Sequence, residues 1–177
     1  MKFFAVALLA VVAACGQGKA IFNVDAYSFL QGTGKDTIPY VIPPGLSDTA
    51  STVQKITLPP GFGSSIVDTV RITNGTANVE NTGGTGTIGF QLFFASDSAA
   101  TYTAPVALDI PATAVSGAQT VVVPISGDLS SVDSLFQHET VYMRIAATAT
   151  NTGATIVTGN GVLKALVIRI VLQDKVF

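Results

Sequence analysis

One cysteine, one histidine and no tryptophan stand in a chain of 177 residues, and charged side chains make up only 11% of it. The single cysteine, Cys15, excludes an intramolecular disulfide, so the fold must hold by its core alone, even in an oxidising compartment. The single histidine, His138, excludes multi-histidine metal sites and leaves any Ser-His-Asp arrangement dependent on one residue. His138 and Glu139 fall just before an expected strand, where a solvated pair is the ordinary explanation, and no G-x-S-x-G segment supplies a nucleophile elbow. These scarcities point away from an enzyme. Nine basic and eleven acidic residues give a net charge of -2 without any Lys/Arg cluster, which argues against electrostatic binding of nucleic acid or an anionic membrane. A surface this neutral lacks the self-repulsion that keeps monomers apart, a pointer to self-association or packing on another surface.

Long amphipathic helical patterns are missing as well. The hydrophobic fraction is an ordinary 48%, and Thr, Ser, Gly and Asn take the place of the absent charge. Residues 21–30 read as a first strand, with Phe22, Val24, Ala26 and Leu30 on one side. The Pro- and Gly-rich stretch 31–48 reads as a long irregular connection, and 51–58 as a strand stopped by Pro59-Pro60-Gly61. Residues 65–81 are β-branched, with Asn74-Gly75 as either a hairpin or a bulge. After the turn at 82–85, Ile88, Phe90, Leu92 and Phe94 alternate with wetter positions, the clearest strand of the chain. Strands are expected at 105–110, 119–125, 141–150 and 162–172, with a helical turn inside 126–136. The last strand is apolar on both faces, as a central strand would be. The pattern predicts an all-β fold, an antiparallel β-sandwich of immunoglobulin-like or jelly-roll type with about seven to nine strands, a barrel being the alternative.

Gly84-Thr85-Gly86-Thr87-Ile88-Gly89 satisfies G-x-G-x-x-G, but a strand follows where dinucleotide binding needs a helix, so it reads as a hairpin turn. Gly32-Thr33-Gly34-Lys35-Asp36 lacks the spacing of a phosphate loop and also reads as a loop. No cofactor is implied, although oxygen-rich sandwich loops can hold calcium, with Asp128 and Asp133 as candidates and Asp36 and Asp48 flanking the Pro-rich stretch. Glycan binding by stacking would fall to Tyr40 and Tyr102, both expected in loops. The segment carrying Phe22, Val24, Ala26 and Leu30 is apolar on one face and has a long connection behind it. It can therefore pair within its own sandwich or cross to complete a neighbour's sheet.

The N-terminus sets the address. Lys2 precedes an uncharged apolar run, Phe3 to Val12, closed by Ala13 and Ala14, which is a secretory signal layout too short for a permanent membrane span. Val12-Ala13-Ala14-Cys15 resembles the bacterial lipobox. That resemblance covers the export segment alone. It implies a signal peptide at 1–14, lipidation of Cys15, a tether at 15–20 and a single sandwich domain at 21–177. One acyl chain holds a protein marginally, at about 0.8 kcal/mol per buried methylene, and stable anchoring takes two or more. The lipoprotein class carries a diacylglyceryl group. Gly16, in place of an Asp, leans toward the outer membrane or cell surface. The expected function is a lipid-anchored, non-catalytic envelope protein: a structural, adhesive or surface-assembly subunit, a fibre-forming one among them, with the membrane, copies of itself or other envelope proteins as partners. The other reading is a glycan- or ligand-binding module on the cell surface.

Overall fold

The computed structural model describes residues 12–13, 19–59 and 66–173, and those residues form two antiparallel sheets packed face to face. In chain order the strands are β1 (Val12–Ala13), β2 (Lys19–Asp25), β3 (Thr37–Ile42), β4 (Ser47–Thr57), β5 (Ile66–Gly83) and β6 (Thr85–Ala95). They continue with β7 (Leu108–Ser116), β8 (Gln119–Pro124), β9 (Gly127–Asp128), β10 (Thr140–Asn151) and β11 (Val157–Gln173). Short 3-10 turns lie at Tyr27–Phe29, Ala100–Tyr102 and Ser130–Gln137.

In the first sheet β2 and β3 lie end to end along one side of β11. β5 runs along its other side, and β8 and β9 follow on the far side of β5. The second sheet has the order β4, β10, β6, β7. From β3 onward, leaving aside the two-residue β9, successive strands change sheet at every connection except β6–β7, which stays within one. That order is a jelly roll, which decides between the two sandwich types left open by the sequence.

The core lies between the sheets. Ile88, Phe90, Leu92 and Phe94 of β6 face Val70, Ile72 and Val79 of β5 and Leu166, Ile168 and Ile170 of β11, all buried. Full burial of such a side chain is worth about 1.5–3 kcal/mol. β11 sits in the middle of its sheet, as its two apolar faces require. β5 is one continuous strand: Val167 pairs with Asn74 and Ile168 with Ile72, so Thr73 is an extra residue. This bulge shifts the inward positions from Val70 and Ile72 to Gly75, Ala77 and Val79, and keeps both halves facing the core. Gly75 is needed there, because a Cβ would stand 2.7 Å from the Ile125 carbonyl oxygen.

Three local expectations are corrected. The stretch 31–48 is not one irregular connection, since β3 and the start of β4 lie within it. β3 tolerates Pro39 because it is an edge strand that pairs only with β11, so the missing N–H interrupts no inner ladder. The first strand ends at Asp25 rather than Leu30; residues 26–36 leave the sheet as an excursion that buries Leu30. Lys35 Nζ then donates to the Val53 carbonyl at 3.0 Å and to Gln54 Oε1 at 3.2 Å, blunting the free edge of β4. The turn at Gly84 (φ +78°) is a corner between sheets rather than a hairpin, because β5 and β6 belong to different layers.

Candidate functional site

Four polar side chains are buried among the described residues, Asn81, Thr101, Arg144 and Asn151, and they mark two places on the sandwich. The first is the end where four connections meet: β3–β4, β5–β6, β7–β8 and β10–β11. Asn81 Nδ2 donates to the carbonyls of Gly117 (2.6 Å), Gly83 (3.1 Å) and Gly84 (3.3 Å), while its Oδ1 accepts the Tyr40 hydroxyl at 3.1 Å. Asn151 Nδ2 donates to the carbonyls of Ile42 and Thr155 at 2.8 and 2.7 Å, and its Oδ1 accepts the Gly153 N–H. Two asparagines thus fix all four turns. On this end Leu46 (57% exposed) and Ile156 (51%) stand in solvent, with the exposed Val41 on the adjacent outer face of β3.

The second place is the outer face of the β4–β10–β6–β7 sheet. Arg144 and Phe93 are direct cross-strand partners, and both point outward. Arg144 Cζ lies 3.7 Å from the Phe93 ring centroid and 5.1 Å from that of Tyr102, and its Nε donates to the Thr101 carbonyl at 3.0 Å. The loop that carries Thr101 and Tyr102 is held locally. Asp97 Oδ1 accepts the Ala100 N–H at 2.8 Å, and Thr101 Oγ1 donates to the Ser98 carbonyl at 2.7 Å. Desolvation pulls the Arg144 pKa below its usual range, with Tyr102 opposing, yet a guanidinium stays a cation at neutral pH. Behind this loop an open groove of about 390 Å³ runs to the 130–137 turn, lined by Phe94, Ala95, Pro105, Val132 and Leu135 among others.

The two tyrosines expected as a ligand platform have different fates. Tyr102 is 61% exposed. Tyr40 is a correction: it lies in β3 with 6% exposure, its ring packed over Gly159 and its hydroxyl spent on Asn81, and burial raises its pKa to about 12. Pro39 and Gly45 made its segment look like a loop; the alternation of Ile38, Tyr40 and Ile42 was the signal for a strand. Asp128 Oδ1 accepts the Ser130 N–H at 2.6 Å, and that bond, with help from the Ser130 hydroxyl and Arg71, lowers its pKa. Asp133 lies inside the 130–137 turn, and among the described residues no group of three or more His, Cys, Asp or Glu is placed to hold a metal. Asp48 bonds the Thr49 N–H, and Asp36 the Thr37 hydroxyl. His138 and Glu139 are exposed at the end of the same turn.

β2 pairs with β11 of its own chain from Lys19 to Asp25, with Val24, Ala26 and Leu30 buried and Phe22 packed against the core. β1 pairs with β2 at Ala20 and Ile21. Cys15 and the rest of the tether up to Gly18 lie outside the described residues. Sequence reasoning missed Arg144, Asn81 and Asn151. For Arg144 a signal existed, a lone charge in the middle of a strand otherwise built of Ala, Thr and apolar residues.

No family model matches the chain, and no curated protein matches it. Among solved structures it is similar to a chain in the structure of infectious bursal disease virus, Gx strain, at 9% identity and a TM-score of 0.38, covering 80% of this chain and 38% of that one. A chain from the Gt strain of the same virus matches at 10% identity and a TM-score of 0.26, covering 77% and 41%. The chain therefore spans about two fifths of the length of these structures.

Proposed function

We propose that this is a lipid-anchored, non-catalytic envelope protein that works by contact, as a structural, adhesive or assembly subunit. The observation that carries the reading is the placement of the tether relative to the four-turn end. Lys19, four residues after Cys15, pairs with Gln173 at the C-terminal end of β11, whereas the four turns gather at its N-terminal end, around Val157. Seventeen strand residues at about 3.3 Å each separate the two by roughly 50 Å. An acylated Cys15 therefore holds the sandwich by one end and presents Leu46 and Ile156 at the other, on turns made rigid by Asn81 and Asn151. Exposed apolar side chains on a rigid loop end are suited to a protein contact.

The test is expression of the full chain and of Cys15→Ser in a bacterial host, followed by fractionation. Wild type is expected with the membranes and the variant in the soluble fraction; identical partitioning of the two refutes the anchor. On the anchored chain, Leu46→Lys with Ile156→Lys is expected to abolish assembly or adhesion without loss of stability. The second reading, a ligand-binding module, is favoured by one observation, the exposed Tyr102 ring beside the Arg144 guanidinium.

A further inference from the structure

Arg144 is 8% exposed at an outward position where Ala146 and Thr148 serve on the same strand. A buried guanidinium is costly unless its donors are matched. Its Nε is matched by Thr101, but among the described residues no carboxylate pairs with it, the ion pairs there being Lys19–Asp68 and Lys164–Glu80. Among the described residues no buried side-chain atom is left without a partner, so the two Nη groups, which bond no protein acceptor there, reach solvent. Lys55 lies one row along the face, opposite Tyr142, and Lys35 Nζ arrives at Val53, the β4 partner of Arg144. Asp97 and Asp109 flank this region, hydrogen-bonded to the Ala100 N–H and to Gln91 Nε2, and keep their negative charge. Arg144, Lys55 and Lys35 thus set three cations against these two carboxylates, on a chain with a net charge of -2.

We infer that Arg144 and Tyr102 form a binding site for an acidic saccharide, a uronate-bearing chain whose carboxylate meets the Arg144 Nη groups. A guanidinium edge pairs with both carboxylate oxygens, and an exposed tyrosine ring stacks on the C–H face of a pyranose. Beyond Arg144 the face is flat and rich in hydroxyls, with Ser51 and Gln91 flanking Ala146 and Thr49 bonded to Thr148 at 2.8 Å. Each hydroxyl keeps capacity for a further hydrogen bond. Such a strip suits a polyol. An acidic peptide would instead seek free main-chain groups, which lie at the sheet edges and not on this face. The inference rests on the ligand-binding reading and names its chemistry.

The test is calorimetric titration of the purified full chain with oligogalacturonate and oligomannuronate, their methyl esters, and poly-glutamate. The uronates are expected to bind at least tenfold more tightly than the esters. Tyr102→Ala and Arg144→Gln should each weaken binding at least tenfold, and Arg144→Lys less, because an ammonium lacks the guanidinium fork. If Arg144→Gln does not fold, Tyr102→Ala and Lys55→Gln, both at exposed positions, carry the decision, with a severalfold loss expected for the latter. Equal binding of uronates and esters that is still lost in Tyr102→Ala overturns the acidic chemistry and leaves a ligand-binding module standing. Preference for poly-glutamate, or indifference to all these substitutions, also overturns the site. Absence of any saccharide binding removes both.

Discussion

Asn81→Ala is the perturbation that probes the four-turn end most severely. The asparagine has two donor hydrogens shared among three turn carbonyls and one oxygen that accepts from Tyr40, which amounts to about three hydrogen bonds. At about 1 kcal/mol net for each, with a further 1–2 kcal/mol for a buried Tyr40 hydroxyl left without a partner, the loss comes to about 4 kcal/mol. For a domain of this size that lowers the melting temperature by roughly 8–16 °C. Tyr40→Phe removes one bond and leaves one acceptor unmatched, so it should cost about 1–2 kcal/mol. In the Tyr40→Phe background only the two Nδ2 bonds remain to be lost, so Asn81→Ala should then cost about 2 kcal/mol less than it does alone, a coupling that a double-mutant cycle measures. Urea unfolding followed by circular dichroism, with unchanged m-values, is the assay. A cost below about 1 kcal/mol for Asn81→Ala, or strict additivity with Tyr40→Phe, refutes the claim that this side chain ties the turns together.

The other expectations concern pH and packing. Tyr40 has its pKa raised to about 12 in the folded protein against 10.0 ordinarily, so the unfolded chain loses this proton first as pH rises. Its contribution is complete below pH 10 and declines between pH 10 and about 12, by about 1–2 kcal/mol, and Tyr40→Phe should flatten that part of the stability profile. Phe136 is fully buried with its ring centroid 5.5 Å from that of Phe94, so Phe136→Ala should cost about 3–5 kcal/mol and loosen the 130–137 turn, seen as faster amide exchange there. Gly161→Ala places a Cβ 2.7 Å from Phe90 Cε1 and should cost about 1–3 kcal/mol by chemical denaturation; a neutral result would show that the ring moves freely.

Most strands were legible because alternation survives in β6 and β10, where one face is buried without interruption. β5 was harder to read. Its inward positions change parity at the Thr73 bulge, so a fixed period of two fails across it, and Asn74-Gly75 imitated a hairpin. Sheet membership was invisible at Gly84, because a positive-φ glycine serves a corner between layers as well as a turn within one. The candidate site was half legible. Tyr102 lies exposed, as expected of a loop tyrosine, but Tyr40 was misplaced because prolines that an edge strand tolerates were read as breakers. Asn81 and Asn151 looked like ordinary turn residues; their long-range bonds, to Gly117 and Ile42, depend on the packing of distant strands.

The lipid anchor proposed at Cys15 decides how the sandwich is held and which end it offers. The most direct measurement is the mass of the N-terminal peptide of the chain purified from its native host. An anchored chain yields a peptide beginning at Cys15 and carrying a diacylglyceryl group on the sulfur; an unmodified Cys15 thiol, or a chain retaining residues 1–14, contradicts the anchor.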